Sequence, residues 1–441
     1  MTTGDTAATE ATTVTRVPAA VMLLSGVTLL FEGYDINIYG AVLPFLLKRA
    51  DWAMSPHLAG LIGSAAVVGM LVGSLVAGPL TDTVGRRGVY LATVSCFSVG
   101  SALCALAPTP GFLLAARVVV GLGLGGFIPV ALAMVVEYTP AGRRTFNTTM
   151  AAAAIGVGGG LAALATIWIA PVWGYQALFW VGLAPLVLVV PVGWVKVPES
   201  VSLLLAKGQL ERAREQVRRH RLPVRLPSEP VEPTVAGREG RLAVARSLFA
   251  PPHTRATLVF WLANMLNLLL VFGALTWLPS LMIKAGYGIT SALVFLAVFQ
   301  VGALAVSLGG SLAADRFGSK PVVLASFGCA VLGLVLLATR PALAVVYLSV
   351  LLLGAGAVGS QNLLLAYIAT YYPPGNRGSG LGLAVALGRV GGILGPILGA
   401  ALLAGGASAA QNFLVFAIAP ALAIAVLALG PRTVPATRPA G

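Results

Sequence analysis

The sequence predicts an all-α membrane protein of twelve transmembrane helices, arranged as two six-helix bundles with both termini in the cytoplasm. Three observations carry this reading. The chain of 441 residues is 58% hydrophobic and only 10% charged, with a mean hydropathy of +0.93, which excludes a soluble globular protein and a disordered chain. Its apolar residues fall into twelve runs, each long enough at about 20 residues to cross a bilayer. The last six runs repeat landmarks of the first six at an offset close to 233 residues.

Taken in order, a polar, hydroxyl-rich tail (1–17) leads into a first span near 18–43. That run carries Glu32 and Asp35, so it is expected to remain a membrane helix and not to be removed as a signal peptide. Spans near 57–79, 88–107, 111–138, 145–170 and 175–195 complete an N-terminal bundle, 18–195. A cytoplasmic central loop rich in Arg, Pro and Glu follows at 196–255. Spans near 256–279, 289–314, 320–339, 342–371, 377–404 and 409–430 form the C-terminal bundle, 256–430, before a cytoplasmic tail, 431–441.

The orientation comes from the positive-inside rule. With both termini cytoplasmic, inner segments hold 22 of the 28 Lys and Arg residues, and external loops hold only Lys48, Arg49, Lys284 and Arg340. The net charge of +14 could suggest a nucleic-acid partner, but the basic residues punctuate apolar runs and build no solvated basic face, so none is expected. Cys96, Cys104 and Cys329 all lie in apolar runs and are read as packing residues. His57, His220 and His253 lie in different loops or loop edges without metal-ligand spacing.

The repeat is visible within the chain. Tyr138, Pro140, Gly142 and Arg144 recur as Tyr371, Pro373, Gly375 and Arg377, and Asp82 and Gly85 recur as Asp315 and Gly318. Parallel repeats about an axis normal to the membrane, with a midplane site between them, describe a rocker-type secondary transporter.

Four charges stand inside these spans: Glu32 and Asp35 in the first, Arg117 in the fourth and Arg389 in the eleventh. An ionised side chain near the bilayer centre costs about 3 kcal/mol by insertion scales, so each needs a partner, a watery cavity or a function.

Certain motifs resemble those of a known family. GPLTDTVGRR (78–87) and its counterpart SLAADRFGSK (311–320) resemble the G-x-L-x-D-R-x-G-R-R signature of the major facilitator superfamily, with Thr83 replacing the first Arg and Ser311 and Ala313 replacing Gly and Leu. RVVVGLGLGG (117–126) resembles the same family's fourth-helix motif. It also contains a formal G-x-G-x-x-G, but no strand precedes it, so a dinucleotide site is not expected. Glu32-Gly33-Tyr34-Asp35 resembles the first-helix motif of the aromatic acid:proton symporter branch. GLGLGGFIP (121–129), EYTPAGRR (137–144), Pro198-Glu199-Ser200 and GRVGGILGP (388–396) agree with that branch.

The resemblance implies a proton-coupled importer of small organic anions of the benzoate or hydroxybenzoate type. It would work by alternating access as a monomer in a bacterial inner membrane, with protons as coupling ion and no organic cofactor or metal. The other readings are a proton-driven exporter of drugs or metabolites, a symporter of another organic acid or a sugar, and a non-transporting membrane sensor. No constellation of nucleophile and base supports an enzyme.

Glu32 and Asp35 are three apart and share a helix face, and Asp35 and Arg117 lie at similar depth, on the order of 9 Å below the external interface. An Asp35–Arg117 ion pair is therefore expected, either as part of a proton site with Glu32 or as a simple pin between helices. Glu32 is equally a second proton carrier or a hydrogen-bonding group for substrate. At the repeat distance the C-terminal half has Met265, Leu268 and Val350 where the N-terminal half has Glu32, Asp35 and Arg117. Proton chemistry is thus expected in the first half and anion recognition at Arg389, whose planar fork suits a carboxylate. Asn264, Asn267, Gln300, Gln361 and Asn362, with Tyr34, are candidate substrate-binding residues. Asp82, Arg86, Arg87, Arg144, Asp315, Arg316 and Arg377 are candidate gating residues.

Overall fold

The computed structural model describes residues 16–139, 144–197, 199, 201–206, 208–220, 248–249 and 253–431. Among them are twelve helices long and apolar enough to cross a membrane. They are α1 (Arg16–Leu47), α2 (Pro56–Thr83), α3 (Arg86–Ala105), α4 (Pro110–Tyr138), α5 (Arg144–Trp173), α6 (Gln176–Lys196), α7 (His253–Lys284), α8 (Ile289–Phe317), α9 (Ser319–Ala338), α10 (Leu343–Tyr371), α11 (Pro374–Ala404) and α12 (Ala409–Ala428). Two short helices, Val201–Ala206 and Leu210–His220, lie in the central segment. The twelve crossings put α1's start and α12's end on one face, called here the terminal face; the turns after α1, α3, α5, α7, α9 and α11 form the distal face.

Several helix starts follow from local chemistry. Ser55 and Thr109 precede prolines at the first helical turn and accept hydrogen bonds from the amides of Leu58 and Phe112, both at 3.2 Å. Ser408 and Gln411 form a reciprocal capping box at the start of α12. Between α2 and α3, Gly85 adopts φ 98°, and its repeat partner Gly318 adopts φ 88° between α8 and α9. A side chain would strain either turn.

The repeat extends to how helices touch. Gly121 leaves no room for a Cβ against the carbonyl of Ala66, nor does Gly69 against that of Val118, and so α2 and α4 lie backbone to backbone. In the second half, Gly354 stands in the same way against Phe299 and Gly302 against Leu351. All four partners lie 233 positions on (121 to 354, 66 to 299, 69 to 302, 118 to 351). Helices α1–α6 thus pack mainly among themselves, as do α7–α12. The halves meet where α2 runs along α11, α5 along α8 and α1 along α7.

This contact lies towards the distal face. Gly40 abuts the Leu275 carbonyl, Gly60 abuts Pro396 and Ala400, and Val67 packs at Gly392. Towards the terminal face the halves part: among the described residues nothing approaches Gly78, Gly378 or Gly382, and Leu75 is 62% exposed.

Candidate functional site

The site begins with Gly33, which lies against the Ile155 carbonyl of α5 and brings α1 to that helix without a side chain between them. Glu32 and Asp35 flank this contact, and both are fully buried. Asp35 is turned towards α3, where the Ser101 hydroxyl donates to its Oδ1 at 2.9 Å; its Oδ2 has no partner. Gly182, at a break in α6, gives this pair its room, since a Cβ there would lie 2.8 Å from Asp35 Oδ1.

Arg117 is buried beside Asp35, at the depth the sequence suggests, but grips it differently. Its Nη1 donates to the Asp35 backbone carbonyl at 3.3 Å, its guanidinium lies 5.2 Å from the centre of the Tyr39 ring, and it forms no ion pair with the Asp35 carboxylate. The expected ion pair is thus replaced by a carbonyl contact and a cation–π contact, while the carboxylate is turned to Ser101.

Glu32 faces the other half. Neither of its carboxylate oxygens has a hydrogen-bond partner. The cation that acts on it is Arg389 of α11, only 6% exposed, whose Nη1 is likewise without a partner. An acid and a base, each with an unpartnered polar atom, are thus buried in opposite halves and interact electrostatically.

The amides of the second half fall into two groups. Asn264 donates to the Ala384 carbonyl at 2.7 Å, Gln361 to Asn264 at 3.0 Å, Asn267 to Gln361 at 2.5 Å, and Ser360 to Asn267 at 3.1 Å. This chain joins α7, α10 and α11 beside a π turn at Ala355–Gly359, a local widening of the kind common near functional sites. Gln300, by contrast, is buried on α8 with its Oε1 unpartnered. Asn362 stands apart, exposed and donating to Ser307 at 3.0 Å. Tyr34 is directed into its own bundle, donating to the Leu178 carbonyl at 2.8 Å. In this state, then, Tyr34 and Asn362 are not brought together with Glu32 and Arg389.

Of the candidate gating residues, Arg87 donates to the Trp194 carbonyl at the end of α6. Its repeat partner Lys320 donates to the carbonyls of Ala428 and Gly430 at the end of α12, at 3.0 and 2.7 Å. Both place a cation on a helix C-terminus, where the backbone dipole favours it, and both act within one half. Arg86 is half-buried, and Asp315, Arg316 and Arg377 are exposed, with Arg316 over the Phe317 ring. The side chains of Asp82 and Arg144 lie outside the described residues.

Sequence reasoning did not single out Ser101 or Asn37, which lies on α1 beside this site. A hydroxyl in an apolar helix carries little signal, whereas Asn37, one turn beyond Gly33, could have been noticed. Between the halves, Tyr39, Arg117, Met70, Phe272 and Thr276 line a cavity of about 10 Å³. It holds about one water and is too small for an aromatic ring.

Twelve membrane helices in two repeated halves, closed around opposed buried charges, define a transporter fold. The sequence model of the Major Facilitator Superfamily matches residues 26–360 and 294–441, and the chain belongs to that superfamily. Within it, the chain is similar to transporters of aromatic acids. It is 33% identical to the benzoate transport protein of Acinetobacter baylyi, over 93% of this chain and 88% of that protein. It is also 33% identical to the gentisate transporter of Corynebacterium glutamicum, over 92% of this chain and 87% of that protein. The inward-open structure of the xylose transporter XylE from E. coli shares the fold, with a TM-score of 0.74 at 17% identity, covering 95% of this chain and 98% of that one.

Proposed function

We propose that this integral membrane protein is a proton-coupled importer of small aromatic carboxylates. It works as a single chain, by alternating access, in a bacterial inner membrane with both termini cytoplasmic. The observation that carries the reading is that Glu32 and Arg389, buried in opposite halves and linked electrostatically, each leave polar atoms without a hydrogen-bond partner. A substrate carboxylate entering the site takes the open Nη1 of Arg389 as its donor and displaces Glu32. Two carboxylates opposite one guanidinium leave a surplus buried negative charge, which is too costly to carry unpaired. A proton on Glu32 removes it, so that anion and proton travel together. Asp35, held by Ser101 and the Arg117 contact, is the second proton carrier along the same helix face.

The similarity to benzoate and gentisate transporters supports the substrate class, and the parting of the halves towards the terminal face supports alternating access. Cells producing the protein should accumulate labelled benzoate-type acids, and a protonophore should abolish the accumulation. Arg389→Ala should raise KM for such acids about 100-fold, the order expected when a buried charge loses its partner. Accumulation that persists without a proton gradient would overturn the coupling.

A further inference from the structure

We infer that Arg117 and the cavity it lines between the halves form an entry station for the substrate carboxylate, distal to Arg389 and occupied before it. The inference rests on the reading of the protein as a carboxylate importer and adds a second anion-binding site to the path.

Arg117 stands inside the fourth span, 3% exposed, and its guanidinium stays charged in a protein. Among the described residues its single hydrogen bond runs from Nη1 to the Asp35 backbone carbonyl at 3.3 Å, and its Nε has no partner. The Asp35 carboxylate, turned to Ser101, acts on it without touching it. The Tyr39 ring gives a further contact but no charge. A buried cation that no carboxylate touches is costly, and an anion brought to it lowers that cost.

The cavity that Arg117 lines lies directly under the distal closure. A Cβ on Gly63, in its wall, would lie 3.1 Å from the Thr276 methyl group and 3.2 Å from the Tyr39 ring, so the halves touch there. Glu32 and Arg389 lie on the terminal side of the same cavity. Ile36 of its wall is one turn beyond Glu32, and Phe272 of its wall packs at Gly392, one turn beyond Arg389. A substrate entering from the distal face therefore meets Arg117 before it meets Arg389.

The walls come from both halves. Tyr39 and Arg117 belong to the first, and the Tyr39 hydroxyl ties its ring to that half by donating to the Ala59 carbonyl of α2 at 2.6 Å. Phe272 and Thr276 belong to the second, so parting the halves on the distal side widens the cavity beyond its present volume of about 10 Å³. It then admits an aromatic ring between Tyr39 and Phe272, with the carboxylate on the fork of Arg117. As the seam closes, the cavity contracts and the carboxylate passes to Arg389 Nη1. Two guanidinium groups, one in each half, thus carry the anion in turn.

The test uses Thr276→Cys in a chain whose Cys96, Cys104 and Cys329 have been replaced, labelled from the distal side by an impermeant thiol reagent. Benzoate should slow the labelling, and benzamide, of similar shape but uncharged, should not. Adding Arg389→Ala should leave the benzoate concentration for half-protection within about twofold, as for independent sites. Adding Arg117→Gln should raise it about tenfold or more, the loss expected for a hydrogen-bonded charge. Should the Arg117→Gln chain fail to insert, benzoate against benzamide in the Arg389→Ala chain decides alone. Protection that vanishes with Arg389→Ala or survives Arg117→Gln would overturn the station, as would a residue 276 that is never labelled from the distal side. Each of these results leaves the transport reading intact, whereas failure of the wild type to take up any aromatic carboxylate would overturn both.

Discussion

The Ser64 hydroxyl of α2 donates to the backbone carbonyl of Ile393 in α11 at 2.7 Å, a hydrogen bond that crosses from one half to the other. Three residues further on, Pro396 interrupts the ladder of α11, because it has no N–H to offer the preceding turn. Its own carbonyl is taken by Trp277 Nε1 at 2.8 Å. This stretch of α11 is therefore held by its own half through Trp277 and by the opposite half through Ser64.

Removing the second hold should loosen the distal closure. Ser64→Ala gives up about 1 kcal/mol, a shift of roughly fivefold between closed and open states. The measurement is labelling from the distal side, by an impermeant thiol reagent, of a cysteine at position 400, in a chain whose Cys96, Cys104 and Cys329 have been replaced. Unchanged labelling would remove Ser64 from the closure.

Asp35 should matter for coupling more than for movement of substrate. Asp35→Asn keeps the shape and a partner for Ser101 but cannot carry the proton. Concentrative uptake should disappear, while exchange of labelled for unlabelled substrate across the membrane continues. Loss of both activities together would assign Asp35 to the scaffold.

Outside the membrane, the turn after α1 carries its own acid-sensitive contact. Arg49 binds both oxygens of Asp51 at 2.8 and 2.9 Å, donates to the Tyr175 hydroxyl at 2.6 Å and lies 4.3 Å from the centre of the Trp52 ring. The hydrogen bonds from Arg49 hold the Asp51 carboxyl below its usual range. A group lowered in this way contributes stability above its unfolded value, about 3.9, and the contribution fades as pH falls through the lower folded value. The protection of the amides in residues 48–54, measured against the intrinsic exchange rate at each pH, should therefore be weaker at pH 3 than at pH 6 in wild type, and be the same at both in Asp51→Asn. The pair is exposed and its contribution small, so transport between pH 5 and 8 should not register it.

Close helix contacts should be intolerant of a single methyl group where the opposing atom is backbone. Gly354→Ala drives a Cβ into the Phe299 carbonyl and should lower the melting temperature of the purified protein, with a cost of about 1–3 kcal/mol. Gly26→Ala, where nothing approaches within 4 Å, is the control, and should be neutral or gain a few tenths of a kcal/mol. Equal melting of both variants would contradict the packing.

Much of the fold was legible because the relevant signals are local or repeated. Runs of apolar residues marked the spans, and Gly85 with Gly318 marked equivalent turns. The depth match of Asp35 and Arg117 was also legible, since rise per residue is fixed in a helix. What the sequence left open was rotation about each helix axis. That rotation sent the Tyr34 hydroxyl to Leu178 and turned the Asp35 carboxylate to Ser101 in place of Arg117. It also closed Asn264, Asn267 and Gln361 into a chain of their own, although their composition alone marks them equally as ligands. Direction in a helix bundle is decided by neighbours distant in sequence, and one chain read alone does not name them.

The paired glycine contacts, Gly121 on Ala66 and Gly354 on Phe299, recur at one offset with backbone as the opposing surface in both. Each half therefore carries these two helix locks within itself. A chain severed in the central segment, with the two pieces made separately in one cell, should reassemble by complementation, as two finished parts meeting at a shared seam.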